Sequence, residues 1–339
     1  MILYVLRRLV TMAVTLLMIS ALVFVIIKLP PGDFLTNQIE ELRSQGDAAS
    51  AVKADALRTE YGLDKPVWYQ YATWVGLWPG PHGFSGLLQG DWGWSFEYQI
   101  SVREVVGGAL AMTMVVNLAT VIFIHVVSIP IAIYAATHRN SFGAHVVTFI
   151  GYIGLATPSF LLALALLFYL NRWFGISIGG MMDPVYQNQG WSLAKFGSMA
   201  SHMVVPVIVI GMAGTAGMIR RMRANLLDEM NKQYTVTAKA KGLPPLRALL
   251  KYPFRIALNP FVADIGNILP QVVSGSVLVS LVLSLPTVGP ILLQALKVQD
   301  QYLAGFILMF VALLTVIGML IADLALAMLD PRIRIGSRD

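Results

Sequence analysis

Long runs without a formal charge constrain this chain more than any other feature. Nineteen residues separate Arg8 from Lys28 and 33 separate Glu104 from His138, none of them Asp, Glu, Lys or Arg. Further apolar runs cover 144–170, 199–219, 256–285 (interrupted by Asp264) and 302–329 (with Asp323 near its end). A helix of about 20 predominantly apolar residues crosses a bilayer, so the pattern predicts six membrane-spanning helices. Only 12% of the residues are charged and 57% are hydrophobic, against about 25% charged in a soluble domain. Such a chain cannot clothe itself in polar groups. That excludes an ordinary soluble enzyme, a disordered chain and a disulfide scaffold. The absence of cysteine excludes thiolate metal sites, thiol nucleophiles and redox switching.

Arg7 and Arg8 precede the first run as they would a signal peptide. The run is long for a signal's apolar region, however, and Lys28-Leu-Pro-Pro-Gly32 follows where a small-x-small cleavage site would stand. An uncleaved first span is expected. With the N-terminus in the cytoplasm, 15 of the 24 Lys and Arg fall on inner segments, nine of them within 220–255. The loop 30–104 then lies outside with ten acidic residues against five basic ones. Positive-inside bias therefore places both termini in the cytoplasm.

Two segments between spans carry pattern. Loop 30–104 opens on Pro30-Pro31-Gly32-Asp33 and passes through an Ala-rich polar stretch expected to include a helix. It then becomes aromatic, with Trp68, Tyr69, Tyr71, Trp74, Trp78, Trp92, Trp94, Phe96 and Tyr98. Such residues anchor at the membrane–water interface, or form a rim for a partner or ligand. Segment 220–255 holds nine basic and two acidic residues. It reads as a helix over 225–241, a break at Gly242, and a second short helix opened by Pro244-Pro245. That is a shaped knob at the membrane surface, beyond what a loop beside anionic lipid needs.

Here the chain resembles the binding-protein-dependent ABC importer permeases, and among them the first permease of the dipeptide/oligopeptide/nickel group. The likeness rests on Tyr234-Thr-Val-Thr-Ala-Lys-Ala-Lys-Gly242-Leu243 with Asn259-Pro260 after it. It extends over Pro31-Gly32-Asp33, Tyr61-Gly-Leu-Asp-Lys-Pro66, Gln89-Gly-Asp-Trp-Gly-Trp-Ser95, Pro286-x-x-Gly289, Asp323 and Asp330-Pro-Arg-Ile-Arg334, all in order. The resemblance implies an all-α membrane protein of six transmembrane helices with the type I ABC importer permease fold. Its parts would be the first helix (1–29), an extracytoplasmic loop (30–104), the permease domain (105–330) and a cytoplasmic tail (331–339). It implies a coupling helix near 238–250, gripped by a motor subunit. Tyr234, Ala238, Lys239, Ala240, Lys241, Gly242, Leu243 and Arg247 would form that site. Ala238 and Ala240 would permit close packing, Gly242 the sharp turn, and the three basic residues pairing with motor carboxylates. No Gly-x-x-x-x-Gly-Lys-Ser/Thr loop is present, so the chain lacks a P-loop of its own.

The partners implied are a second homologous permease subunit, two ABC ATPase subunits, an extracytoplasmic solute-binding protein and membrane lipid. No nucleic acid and no cofactor or metal is implied. The location implied is a bacterial or archaeal plasma membrane. Three positions depart from the family pattern: Val236-Thr237 at the loop's first acidic position, Ala156-Thr157-Pro158 in the third span, and Ser280 where peptide permeases usually carry Glu. The stretch 279–304 is similar to that of members associated with oligosaccharides. The cargo expected is peptide-class or oligosaccharide, with a lean to the latter.

Polar residues within spans usually face a bundle interior or an aqueous path. Asp264, Asn267, Gln271 and Ser274 fall within about 80° of arc on the fifth span at about 100° per residue. Thr113, Asn117, Thr120 and Ser128 do likewise on the second, with His125 off the stripe. These eight are the candidate translocation pathway, set against plain interhelical hydrogen bonding. Gly211, Gly214 and Gly217 form a small-residue stripe for close helix packing, within the chain or between subunits. The rival reading is an ion-gradient-driven secondary transporter with Asp264 as coupling carboxylate, and a non-transporting scaffold is a third. An enzyme is not expected: the five histidines form no His-Glu-x-x-His pattern.

Overall fold

The computed structural model describes residues 2–30, 62–81 and 83–329, and positions 32, 34–36, 38, 44, 49, 52, 56 and 58–60 between them. Side chains at 2–4, 260, 267, 269, 270 and 329 are outside this description. Pro31, Asp33, Tyr61, most of the polar stretch expected to hold a helix, the closing Asp330–Arg334 motif and the tail 331–339 lie outside the described residues.

Four helices among the described residues are long and apolar enough to cross a membrane. They are α1 (Ile2–Lys28), α3 (Val102–Thr137), α6 (Leu193–Met230) and α13 (Gln301–Leu329). Between α1 and α3 lies the short α2 (Val67–Val75). The third expected span is not one helix. α4 (Phe142–Ala156) and α5 (Ser159–Phe174) meet at 103°. Pro158 is the cause: the residue before a proline is pushed out of the helical region, and Thr157 is extended at φ −91°, ψ 121°. At about 1.5 Å per residue neither arm alone spans a bilayer. Counted as one broken span, the pair makes five.

The fifth expected span, 256–285, is segmented as well. α9 (Pro253–Ala257), α10 (Asn259–Ala263) and α11 (Ile265–Val282) follow one another. Pro260 has no N–H to donate, and the breaks fall beside it. They are kinks rather than loops, because Val262 N–H still reaches Leu258 O at 2.9 Å and Ile268 N–H reaches Asp264 O at 2.9 Å. The expected helix over 225–241 is likewise two. α6 stops at Met230 and α7 (Gln233–Ala240) starts after a turn. α8 (Pro245–Lys251) and a short α12 (Val288–Lys297) complete the set.

The chain divides into two compact units. The larger comprises 1–6, 112–286 and 314–339; the smaller comprises 7–111 and 287–313. The larger has one apolar core, with Val116, Ile124, Val209, Met218, Leu226 and Val279 at its centre. Of the stripe on α6, Gly211 is buried in it and Gly214 and Gly217 are half-buried. A Cβ added at Gly211 would stand 2.8 Å from Phe123 Cδ1 and 3.4 Å from the Thr120 methyl. That face of α6 is therefore taken by α3 of the same chain.

In the smaller unit the aromatic stretch builds core more than rim. Phe96 and Trp74 are buried. Phe24 packs on Tyr71 and Trp74 at 5.5 and 5.6 Å, and Trp92 stacks on Phe306 at 4.2 Å. Tyr71 also hydrogen-bonds Ser20 at 2.8 Å, fixing α2 along α1. Trp68, Trp78 and Tyr98 stay exposed. A two-stranded hairpin, β1 (Trp94–Ser95) with β2 (Ile100–Ser101), leads into α3.

Candidate functional site

Loop 220–255 folds as two short helices around a tight turn. α7 ends when Gly242 adopts φ +82°, a left-handed conformation that side chains with a Cβ resist. Gly242 N–H then bonds Lys239 O at 2.9 Å and Leu243 N–H bonds Ala238 O at 3.3 Å, satisfying carbonyls that the helix end would orphan. Pro245 starts α8 at its first position, where a missing N–H costs nothing.

The turn is a projecting ridge. Lys239, Ala240, Lys241, Gly242 and Arg247 are exposed, and Leu243 is half-buried. Ala238 is not on the outer surface. It is 6% exposed and packs inward, so of the two alanines only Ala240 is open to a partner. Leu246 is 63% exposed and Leu250 44%, an apolar strip among the basic residues that charge reasoning had not singled out. Gly242, Leu243, Pro244, Arg247, Leu250 and Lys251 line a shallow hollow there.

The ridge is tied back to α6. Tyr234 donates its hydroxyl proton to Glu229, and Thr235 Oγ1 donates to the Glu229 carbonyl at 3.0 Å. Burial first, and the Glu229 bond and charge second, push the Tyr234 pKa up to about 12. It therefore remains a hydroxyl donor at any physiological pH. Arg221 of α6 forms an ion pair with Asp264 at the head of α11. Neither Glu229 nor Arg221 was singled out as a site residue in the sequence, because their partners are recognisable only once the chain folds back.

The two polar stripes part company. Thr113, Asn117, Thr120 and Ser128 of α3 are each at most 2% exposed, inside the larger unit. The amide of Asn117 and the hydroxyls of Thr120 and Ser128 are buried with no hydrogen-bond partner. On α11 the reverse holds: Gln271 and Ser274 are exposed, together with Gly275 and Leu278. Asp264, half-buried, stands at the head of this helix, and the Asn267 side chain lies outside the described residues. Ser280 is 0% exposed. It stands nine residues from Gln271, about 180° away around the helix axis.

A family description, the binding-protein-dependent transport system inner membrane component, matches residues 128–335. Its N-terminal counterpart matches residues 1–117. The oligopeptide transport system permease protein AppB of Bacillus subtilis (strain 168) is 31% identical over 331 residues, covering 97% of this chain and 98% of that protein. The dipeptide transport system permease protein DppB of Escherichia coli (strain K12) is 27% identical over 347 residues, 98% of each chain. The oligopeptide transport system permease protein OppB of Haemophilus influenzae is 26% identical over 332 residues, 98% of this chain and 99% of that one.

Proposed function

The chain belongs to the family of binding-protein-dependent transport system inner membrane components, and from that membership and its projecting loop we propose how it transports. It is a permease subunit of an ABC importer, a multi-pass inner-membrane protein and not itself a catalyst. In the proposed assembly, two ATPase subunits grip the ridge 239–250, a second permease completes the pathway, and an external binding protein delivers cargo. Both termini and the ridge are cytoplasmic. The observation that carries the reading is the ridge, where basic side chains and two exposed leucines crown a glycine turn whose base is bonded to α6.

The route of force follows from the contacts. A motor subunit moving α7 and α8 pulls on Glu229 through Tyr234 and Thr235. α6 is a single helix of 38 residues, and its ion pair from Arg221 to Asp264 reaches the head of α11. That helix carries the exposed Gln271 and Ser274. Polar side chains facing lipid are costly, so this face suits an aqueous path or the second permease. The buried stripe on α3 serves the same pathway from within the bundle, its unpartnered amide and hydroxyls available when the helices rock. An Asp264 engaged by Arg221 counts against its use as an ion-coupling carboxylate.

For cargo, the reading moves to peptides. AppB, DppB and OppB are all named for peptide transport. The lean to oligosaccharide drew on the stretch 279–304, on the pathway's amides and hydroxyls, on the aromatic outer loop, and on Ser280, which is buried on the face of α11 opposite Gln271. Amide and hydroxyl groups such as Gln271 and Ser274 exchange hydrogen bonds with a peptide backbone as readily as with sugars. Calorimetry on the cognate binding protein should show tight binding of a di- or oligopeptide. Heat from an oligosaccharide alone would reverse the assignment.

Docking has its own test. Reversing Lys239, Lys241 and Arg247 together to Glu should release the ATPase subunits, since like charges would then face motor carboxylates. Copurification of the full complex from this variant, with topology verified, would count against charge-guided docking.

A further inference from the structure

An open groove of about 190 Å³ runs between α4 and α6 within the larger unit. Gly151 and Leu155 of α4 and Ala216 and Ile219 of α6 make its walls apolar. Arg220 and Arg223 line it as well, and among the described residues no carboxylate does. Ala216, Arg220, Arg223 and Leu227 recur at helical spacing and share one face of α6.

The two guanidiniums contrast with Arg221 between them. Arg221 is answered by Asp264, whereas among the described residues neither Arg220 nor Arg223 has an ion pair. Arg223 donates its Nε to the Ala135 carbonyl at 3.2 Å, which fixes the side chain and leaves its terminal amino groups available. Thr148 does not compete for an anion, because its hydroxyl donates to Ala144 O at 2.7 Å. Depth matters too. Ile219 closes the apolar run 199–219 and Arg220 opens the basic stretch, so the charges sit where headgroups meet acyl chains. Basic pockets between helices on the cytoplasmic side suit anionic headgroups, and a planar guanidinium matches a phosphate bidentately.

We propose that this groove is a binding site for an anionic phospholipid, its phosphate on Arg220 and Arg223 and an acyl chain along Gly151, Leu155 and Ala216. The orientation given above decides only which leaflet supplies the lipid, here the inner one. Lipid retention needs neither cargo nor ATP, so this proposal and the transport reading fail separately.

Native mass spectrometry of the assembled complex tests it, with dioleoyl phosphatidylglycerol, dioleoyl phosphatidylcholine and free glycerol 3-phosphate as probes. Phosphatidylglycerol should be retained over phosphatidylcholine. Arg220→Gln with Arg223→Gln should weaken that retention roughly 30-fold, taking the usual contribution of one cation near an anionic surface twice. Arg220→Gln alone removes no ion pair within the chain and should weaken it about fivefold. A Cβ at Gly151 would sit at ordinary contact, 3.7 Å from the Ala216 methyl, so Gly151→Leu should fill the groove and expel lipid with both charges intact. If that variant does not assemble, the arginine variants decide. Equal retention of the two lipids, or full retention in R220Q/R223Q, would overturn the site. So would competition by glycerol 3-phosphate as strong as by lipid, which would mean a soluble phosphate site. A further arm uses Tyr152→Cys, the sole cysteine in the chain. Its crosslinking to another subunit with lipid excluded would make the groove a subunit interface and also overturn the proposal.

Discussion

Gly242→Val is expected to leave the membrane helices inserted while ATP-driven transport by the assembled complex falls about ten- to a hundredfold. Gly242 sits at φ +82°, and a β-branched residue there is a genuine outlier. A Cβ at this position would meet nothing within 4 Å, so the penalty is one of backbone and not of packing. Strain of this kind costs about 1–3 kcal/mol, small against a whole membrane fold but large for a seven-residue helix that can shift to relieve it. The expected loss follows if the shifted loop no longer fits the motor, since about 1.4 kcal/mol is tenfold in population. Gly242→Asn should retain more activity, because Asn visits the left-handed region more readily. Uptake assays with membrane-insertion controls check both. Wild-type transport in Gly242→Val would remove the turn from the coupling machinery.

The second large effect concerns stability. Asp300, immediately before α13, is 0% exposed. One carboxylate oxygen accepts from Ser95 Oγ at 2.7 Å and from Glu97 N–H at 3.2 Å, and the other accepts from Leu303 N–H at 3.2 Å. It thus fastens the hairpin β1–β2 to the start of α13 within the smaller unit. Asp300→Ala leaves the buried Leu303 N–H and Ser95 hydroxyl and the partly buried Glu97 N–H without this acceptor, at about 1–3 kcal/mol for each fully buried donor. The variant should melt well below the wild type and be nicked by protease near 94–101. Asp300→Asn keeps one acceptor and should lose about half as much on the same scale. Unchanged melting and protease resistance in Asp300→Ala would show that the clasp is dispensable.

The pH behaviour of that clasp has a definite sign. Burial raises the Asp300 pKa above the ordinary carboxylate value, and the bonds from Ser95, Glu97 and Leu303 offset this only in part. A raised carboxyl binds its proton more tightly in the folded chain. Its contribution is therefore full below the unfolded pKa and is lost as pH rises through the folded one. Acidification should not loosen the hairpin on this account, unlike a salt-bridged carboxylate.

How far the sequence could be read depends on the kind of signal. Charge-free runs marked α1, α3, α6 and α13, because span length is a property of consecutive residues. The same rule joined α4 to α5 and α9 through α11, where prolines break the run without adding charge. Pro158 and Pro260 were visible, but a proline marks a break without giving its angle, here 103° at the first. The break at Gly242 was expected from its place between a helix and Pro244-Pro245, whereas its positive φ is seen only in the fold. Periodicity placed both polar stripes on single faces, yet could not tell that the α3 stripe is buried while Gln271 and Ser274 are open. Nor could it pair Arg221 with Asp264 or Ser95 with Asp300, contacts that close 43 and 205 positions along the chain.

The most direct test is uptake into proteoliposomes carrying the complete complex and its binding protein, with radiolabelled dipeptide outside. Collapsing ion gradients with an ionophore should leave the initial rate unchanged, and removing internal ATP should abolish uptake. Uptake that persists without ATP and stops with the ionophore would contradict the account and restore a gradient-driven transporter.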